Sequence, residues 1–247
     1  MVKASLRLTL AVAACAGLLG ACSNDSGGRF FIVQNQVPQP GCVINTNRSV
    51  YAGEGILDLD LVGNDVFAYM LFPLIQNDFP ATGGGGAPEP NRMFVRAFRL
   101  RVEPGAGAPA AVTSLFEKLE GADATHALVE FQEPWAATID PGGGVLAAAV
   151  GAIPGELARQ LRATRALESS PRVPLIVRLR AVGKRRDGEL ESDEFVYPVR
   201  LCQGCLANVV GTCPHAPANT GNPCNPAQDF TVDCCQAGAE LVCPAFK

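Results

Sequence analysis

The chain has 247 residues, with 20 basic and 24 acidic side chains and a formal net charge of −4 at pH 7. This acidic balance argues against a nucleic-acid-binding protein, because such proteins need a basic surface to neutralise phosphates. The 26 glycines and 19 prolines are many for a helical protein and favour a fold of strands and turns.

The first 21 residues have the three parts of an export signal. Lys3 and Arg7 give a positive start, an almost wholly apolar run follows from Leu8 to Leu19, and small residues lead up to Cys22. The apolar run is shorter than the roughly 20 residues that span a bilayer, so a signal peptide over residues 1–21 is preferred to a transmembrane helix. Modification at Cys15 instead would leave too short an apolar run and an odd number of later cysteines.

The four residues Leu19-Gly20-Ala21-Cys22 resemble the bacterial lipoprotein signal, in which a leucine and two small residues precede the cysteine. The resemblance implies diacylglycerol on Cys22, cleavage before it, and an N-acyl lipid on the new amino terminus, with no other cofactor. Ser23 in place of an aspartate implies transport to the outer membrane. Several acyl chains give stable anchoring in the bilayer, and residues 22–28 form a short flexible tether. The chain without Lys3 and Arg7 has 18 basic and 24 acidic residues, a net charge near −6.

Strand patterns fill the first half of the remaining chain. We predict strands over Arg29–Val37, Ile56–Val62, Val66–Ile75, Met93–Glu103 and Leu128–Phe131, with a surface loop over Thr82–Pro90. In the second of these, Leu57, Leu59 and Leu61 should face the core while Asp58 and Asp60 face solvent. In the fourth, Phe94, Phe98, Leu100 and Val102 should share one side.

One short helix and one hairpin are predicted further along. Pro154 suits a first helical turn, and Leu157, Ala158 and Leu161 would then share a face. Leu175–Val182 and Glu194–Leu201 read as paired strands around the Asp187-Gly188 turn. About seven or eight strands at these intervals predict a mainly β domain over residues 29–201, an antiparallel sandwich of immunoglobulin-like or transthyretin-like type.

Seven of the eight cysteines that follow Cys22 lie after Leu201, in a tail over residues 202–247 that is too poor in large apolar residues to form its own core. The eight are Cys42, Cys202, Cys205, Cys213, Cys224, Cys234, Cys235 and Cys243. Disulfides are the usual substitute for a core in such a segment. Adjacent Cα atoms are closer together than a disulfide allows, so Cys234 and Cys235 should bond to different partners.

If all eight pair, Cys42 must bond to a tail cysteine and close a loop of at least about 160 residues. This disulfide would stabilise the fold by somewhat under about 5 kcal/mol and would tie the tail to the sandwich. The particular pairing is left open, since eight cysteines allow about 105 combinations.

Two functional interpretations compete with disulfides at Cys202-Gln203-Gly204-Cys205. The spacing is that of half a zinc site, but an exported protein meets an oxidising compartment and only His215 lies nearby. A thiol-redox site would normally open a helix in a thioredoxin-like context, whereas this motif ends a strand. We therefore predict neither a metal nor a catalytic residue.

Other candidate chemistry is weaker still. His126, with Ser114 or Asp123 near in sequence, offers a general base without a nucleophile motif. The acidic residues between Asp187 and Glu194 lack the spacing of a calcium loop and are typical of a charged hairpin. The glycines from Gly83 to Gly86 lack the lysine of a phosphate loop. Trp135 is a core aromatic or an exposed ligand contact.

The whole pattern of lipoprotein signal, sandwich and cysteine-rich tail resembles uncharacterised outer-membrane lipoproteins of myxobacterial-type δ-proteobacteria, most of all over Phe195–Leu206. The family implies no known activity. We expect a non-enzymatic binding, adhesion or structural module, anchored to the lipid bilayer and facing the periplasm or the cell surface, with an unknown envelope protein or ligand as partner. The alternatives are a periplasmic thiol-redox or other enzyme using Cys202 and Cys205, and an accessory subunit of an outer-membrane or secretion complex.

Overall fold

The computed structural model describes residues 29–63, 65–82, 89–214 and 218–243. This part of the chain is mostly strand, which confirms the mainly β fold class. The strands are β1 Phe30–Gln36, β2 Tyr51–Ala52, β3 Gly55–Asp58, β4 Phe67–Leu71, β5 Pro73–Asn77, β6 Met93–Pro104, β7 Glu130–Ile139, β8 Gly144–Ala147, β9 Val150–Pro154, β10 Val173–Arg185, β11 Gly188–Glu191, β12 Phe195–Cys202, β13 Ala207–Thr212, β14 Val232–Ala237 and β15 Glu240–Val242. The helices are α1 Ala110–Glu120, α2 Asp123–His126, α3 Gly155–Ala163 and α4 Ala166–Ser169.

The largest sheet has strand order β3-β12-β10-β6-β7, with β11 added to the end of β10. The predicted pairing around Asp187-Gly188 is confirmed, because β10 pairs with both β11 and β12 in antiparallel register. After the turn, the chain that returns alongside β10 forms two strands, β11 and then β12, instead of one. The sequence predicts a purely antiparallel sheet, but β3 lies parallel to β12.

A second sheet, in order β2-β1-β5-β8, and the β4-β9 pair complete a sandwich-like arrangement. One apolar cluster joins the layers: Phe30, Ile32 and Ile75 lie in it together with inward residues of β6, β10 and β12. The alternating positions Leu175, Val177 and Leu179 of β10 are fully buried, which the period-two pattern of that strand predicts.

Helix α3 confirms the helix predicted at Pro154, and Leu157, Ala158 and Leu161 form its buried face. The expectation of a single short helix is wrong, since α1 is longer than α3. Its buried residues are Val112, Phe116 and Leu119, which have the spacing of one helical face.

Three strand predictions need correction. The segment predicted as one strand over Val66–Ile75 is two strands, β4 and β5, which belong to different sheets. The strand predicted over Ile56–Val62 ends at Asp58, where the chain turns, so Asp58 is wholly buried instead of facing solvent. The strand predicted over Leu128–Phe131 continues as β7 to Ile139, with Pro134 tolerated because β7 is an edge strand.

The predicted alternation of β6 is interrupted by an irregularity in its register between Val95 and Ala97. Ala97 and Phe98 are both buried as a result, and the phase of the strand changes. The sequence pattern predicts Phe94 on the same side as Phe98, but Phe94 is 52% exposed. This change of phase places an aromatic ring on the outer surface.

Candidate functional site

The structure pairs all eight cysteines of the described residues. Cys42 in the loop after β1 bonds to Cys224, across a sequence separation of 182 residues and with a Cα–Cα distance of 4.7 Å. This bond confirms that the tail is tied back to the loop after the first strand. It fixes the middle of the tail, at Cys224, against the sandwich.

Within the tail, Cys213 bonds to Cys235 and Cys234 bonds to Cys243. The adjacent cysteines Cys234 and Cys235 thus have different partners, as the Cα geometry predicts. Both lie on β14, the central strand of the small sheet β13-β14-β15. The tail therefore forms a compact sheet held by two disulfides, although its strands expose Val209, Leu241 and Val242.

The remaining disulfide joins Cys202 and Cys205 at the end of β12. Cys202 is buried, with 3% of its surface exposed, whereas Cys205 is exposed. Asp58 from the neighbouring strand β3 lies beside them, and one ligand atom of each of the three residues falls within 4.8 Å of the others. This is the one cluster of potential metal ligands among the described residues.

Asp58 already has partners for both carboxylate oxygens. Oδ1 accepts hydrogen bonds from the backbone N–H of Asp60 at 3.0 Å and of Gly204 at 2.8 Å, and Oδ2 accepts one from Leu206 at 2.8 Å. Because the sulfurs are bonded to each other and the carboxylate holds the loop that they close, this arrangement suits a structural disulfide loop better than a metal site.

Buried amide side chains dock the tail between β3 and β4. Asn225 Nδ2 donates to the carbonyl of Ala68 at 2.9 Å. The side chain of Gln228, wholly buried, accepts from the N–H of Met70 at 2.7 Å and donates to its carbonyl at 3.0 Å. The Gln228 side chain thus satisfies the backbone N–H and carbonyl of Met70 in β4 as a neighbouring strand would.

Asp229 completes this docking segment and faces two buried tyrosines. It accepts hydrogen bonds from the N–H of Ile56 at 2.9 Å and from the hydroxyl of Tyr69 at 2.9 Å. Burial first, and then the charge of Asp229, raise the pKa of Tyr69 well above its ordinary value and that of Tyr197 to about 12. Burial also raises the pKa of Asp229, against the hydrogen bonds that lower it. Both phenols therefore stay protonated, which suits hydrogen-bond donation and not base catalysis.

The other candidates of the sequence lie apart. His126 is half-buried, with its Nε2 4.0 Å from Glu130 Oε2, and within the described residues neither Ser114 nor Asp123 is hydrogen-bonded to it. The acidic hairpin residues are engaged by arginines: Glu191 pairs with Arg99 at 2.6 Å and Glu194 with Arg178 at 2.6 Å. They form part of an ionic surface and not a calcium cage. Trp135 packs edge-on against Phe98, with ring centroids 6.0 Å apart, so it is a core-edge aromatic.

Sequence reasoning missed a basic pocket of ≈ 420 Å³ at the end of the β10–β11 hairpin. It is lined by Glu89, Pro90, Arg92, Phe94, Lys184, Arg185 and Arg186. The available signal was the run Lys184-Arg185-Arg186 beside the Asp187-Gly188 turn, which is prominent in a chain of acidic net charge. The aromatic part of the pocket could not be predicted, because the register irregularity in β6 brings Phe94 to the outer surface.

Cys22, the signal peptide and its tether lie outside the described residues, as do His215 and Gly83–Gly86. In the described part of the chain no helix has the length and apolarity needed to cross a membrane.

No family model matches the chain, and no curated protein matches it in sequence. Among solved structures, the chain is similar to a protein from Archaeoglobus fulgidus, with 9% identity and a TM-score of 0.33, over 54% of this chain and 84% of that one. A likeness this distant carries no argument about function.

Proposed function

We propose that the protein is a lipid-anchored lipoprotein of the outer membrane that serves binding, adhesion or assembly without catalysis. The observation that carries this proposal is the complete pairing of the eight cysteines between residues 29 and 243. Disulfides persist in oxidising compartments and are rare in the cytosol, so four of them support export. The export signal predicted over residues 1–21 supports the same compartment independently.

The structure of the Cys202–Cys205 loop supports a non-enzymatic role. Its sulfurs are bonded to each other, and Asp58, the nearest carboxylate, is occupied by three backbone donors. The exposure of Cys205 favours the alternative, a thiol-redox protein.

Intact mass of the protein purified from membranes, before and after reduction and alkylation, tests the proposal. We expect the mass of a chain that starts at an acylated Cys22, with the eight later cysteines alkylated only after reduction. Two thiols alkylated without reduction would favour the redox alternative. An unacylated chain that still begins at Met1 would contradict the anchor. Co-purification with a fixed set of envelope proteins would identify it as an accessory subunit.

A further inference from the structure

The basic pocket carries a separate inference, which depends neither on the lipid anchor nor on the state of the cysteines. From its charges and its aromatic wall we infer that it binds a small phosphorylated ring compound, such as a hexose phosphate.

Two arginines of the pocket are held in place by neighbouring acids. Arg92 Nε donates to Asp140 Oδ1 at 2.7 Å, and Arg185 Nε donates to Asp187 Oδ1 at 2.7 Å. Arg185 also lies over the ring of Phe79, with Cζ 4.2 Å from the centroid. These contacts favour orientations in which both guanidinium groups line the pocket.

Lys184 and Arg186 supply charge that no neighbouring acid neutralises. Within the described residues neither makes an ion pair, and Glu189, the residue opposite Lys184 on β11, pairs with Arg96 instead. Glu89 also lines the pocket, but its carboxylate accepts hydrogen bonds from the backbone N–H groups of Thr82 and Asn91. Four cationic side chains thus outnumber the one carboxylate in the lining, and guanidinium groups bind phosphate oxygens in bidentate pairs, so the pocket suits a phosphomonoester better than a single carboxylate.

Phe94 provides an apolar wall next to these charges. It lies directly opposite Lys184 across the β6–β10 pair, so the two side chains occupy the same face of the sheet. Phe94 is 52% exposed, and Pro90 lines the same pocket. The volume of ≈ 420 Å³ falls within the usual range of small-molecule sites, roughly 300–1,000 Å³. A phosphate on the cations with a ring against Phe94 accounts for both halves of the lining.

Calorimetric titration of the purified full chain in detergent, with glucose 1-phosphate, inorganic phosphate, glycerol 3-phosphate and glucose as probes, tests this inference. We expect glucose 1-phosphate to bind more tightly than inorganic phosphate, glucose alone not to bind, and added salt to weaken binding. The double variant Lys184→Gln/Arg186→Gln should lose at least about tenfold in affinity for both phosphates. Phe94→Ala should weaken only glucose 1-phosphate.

Arg172→Gln is the matched control, because Arg172 is an exposed cation away from the pocket. Its affinities should equal those of the parent protein, and all variants should keep the parent circular-dichroism spectrum. Glycerol 3-phosphate binding as tightly as glucose 1-phosphate would keep the phosphate site and assign it to a lipid-type headgroup. No binding of any phosphate, or equal binding by the parent and the double variant, would overturn the inference.

Discussion

Replacing Asp58 by asparagine should destabilise the protein far more than a change of one charge on its surface. Asp58 is wholly buried and accepts three backbone hydrogen bonds, one from Gly204 in the loop that Cys202 and Cys205 close and one from Leu206 just after it. An asparagine of the same shape can accept only through one oxygen, so its NH₂ group must face at least one backbone N–H.

The magnitude follows from these contacts. The variant loses one hydrogen bond to a charged acceptor, worth about 1.5–3 kcal/mol, and buries an N–H group without a partner. The two bonds that remain become weaker because their acceptor is neutral. We therefore expect the free energy of unfolding to fall by about 2–4 kcal/mol.

Guanidinium unfolding of the oxidised proteins, followed by circular dichroism, measures this loss. Asp60→Asn is the control two residues away: Asp60 is exposed and pairs with Arg162 at 2.9 Å, a surface pair worth about 0–1 kcal/mol. If Asp58→Asn were no more destabilising than Asp60→Asn, the carboxylate would not be what holds the Cys202–Cys205 loop.

Three further predictions follow. Gly55→Ala should destabilise the fold by about 1–3 kcal/mol, because the added Cβ would overlap the hydroxyl of the buried Tyr69. Gly53→Ala is the control, since no atom lies within 4 Å of its added Cβ, and thermal melting of the two variants measures the difference. Glu133 has a carboxylate oxygen buried without a partner, and burial raises the pKa of this carboxyl group. The folded protein therefore binds the proton more tightly than the unfolded chain, and the free energy of unfolding falls as the pH rises through the raised pKa. Glu133→Gln removes this loss, and its melting temperature should therefore match the parent near about pH 4 and exceed it near about pH 8; the same difference at both pH values would contradict this reasoning. Replacing Cys42 and Cys224 together by alanine should lower the free energy of unfolding by about 5 kcal/mol, because this disulfide constrains a long stretch of the unfolded chain. Removing the Cys234–Cys243 disulfide, whose cysteines are nine residues apart, should lower it by about 2.5 kcal/mol. Equal losses in denaturant unfolding would refute the idea that constraint of the unfolded chain is the main effect.

Local pattern was enough for strands β10 and β12 and for helix α3. Two-residue alternation in β10 and β12, and the spacing of Leu157, Ala158 and Leu161, each record directly which face is buried. Even one disulfide property followed from covalent geometry, since Cys234 and Cys235 are too close to bond to each other. These features depend on neighbours a few residues apart, which is the range that a sequence pattern reports.

Only the tertiary structure decided the positions that depend on distant partners. Asp58 reads as the polar face of a strand, but it is buried because a loop 146 residues later folds over it and donates two N–H groups. Phe94 reads as core, but a shift in register turns it outward beside Lys184. Cys42 could have bonded to any of seven tail cysteines by sequence, and its pairing with Cys224 depends on where Asn225 and Gln228 dock the tail. In each case the deciding contact joins residues far apart in the chain, where no periodicity can report it.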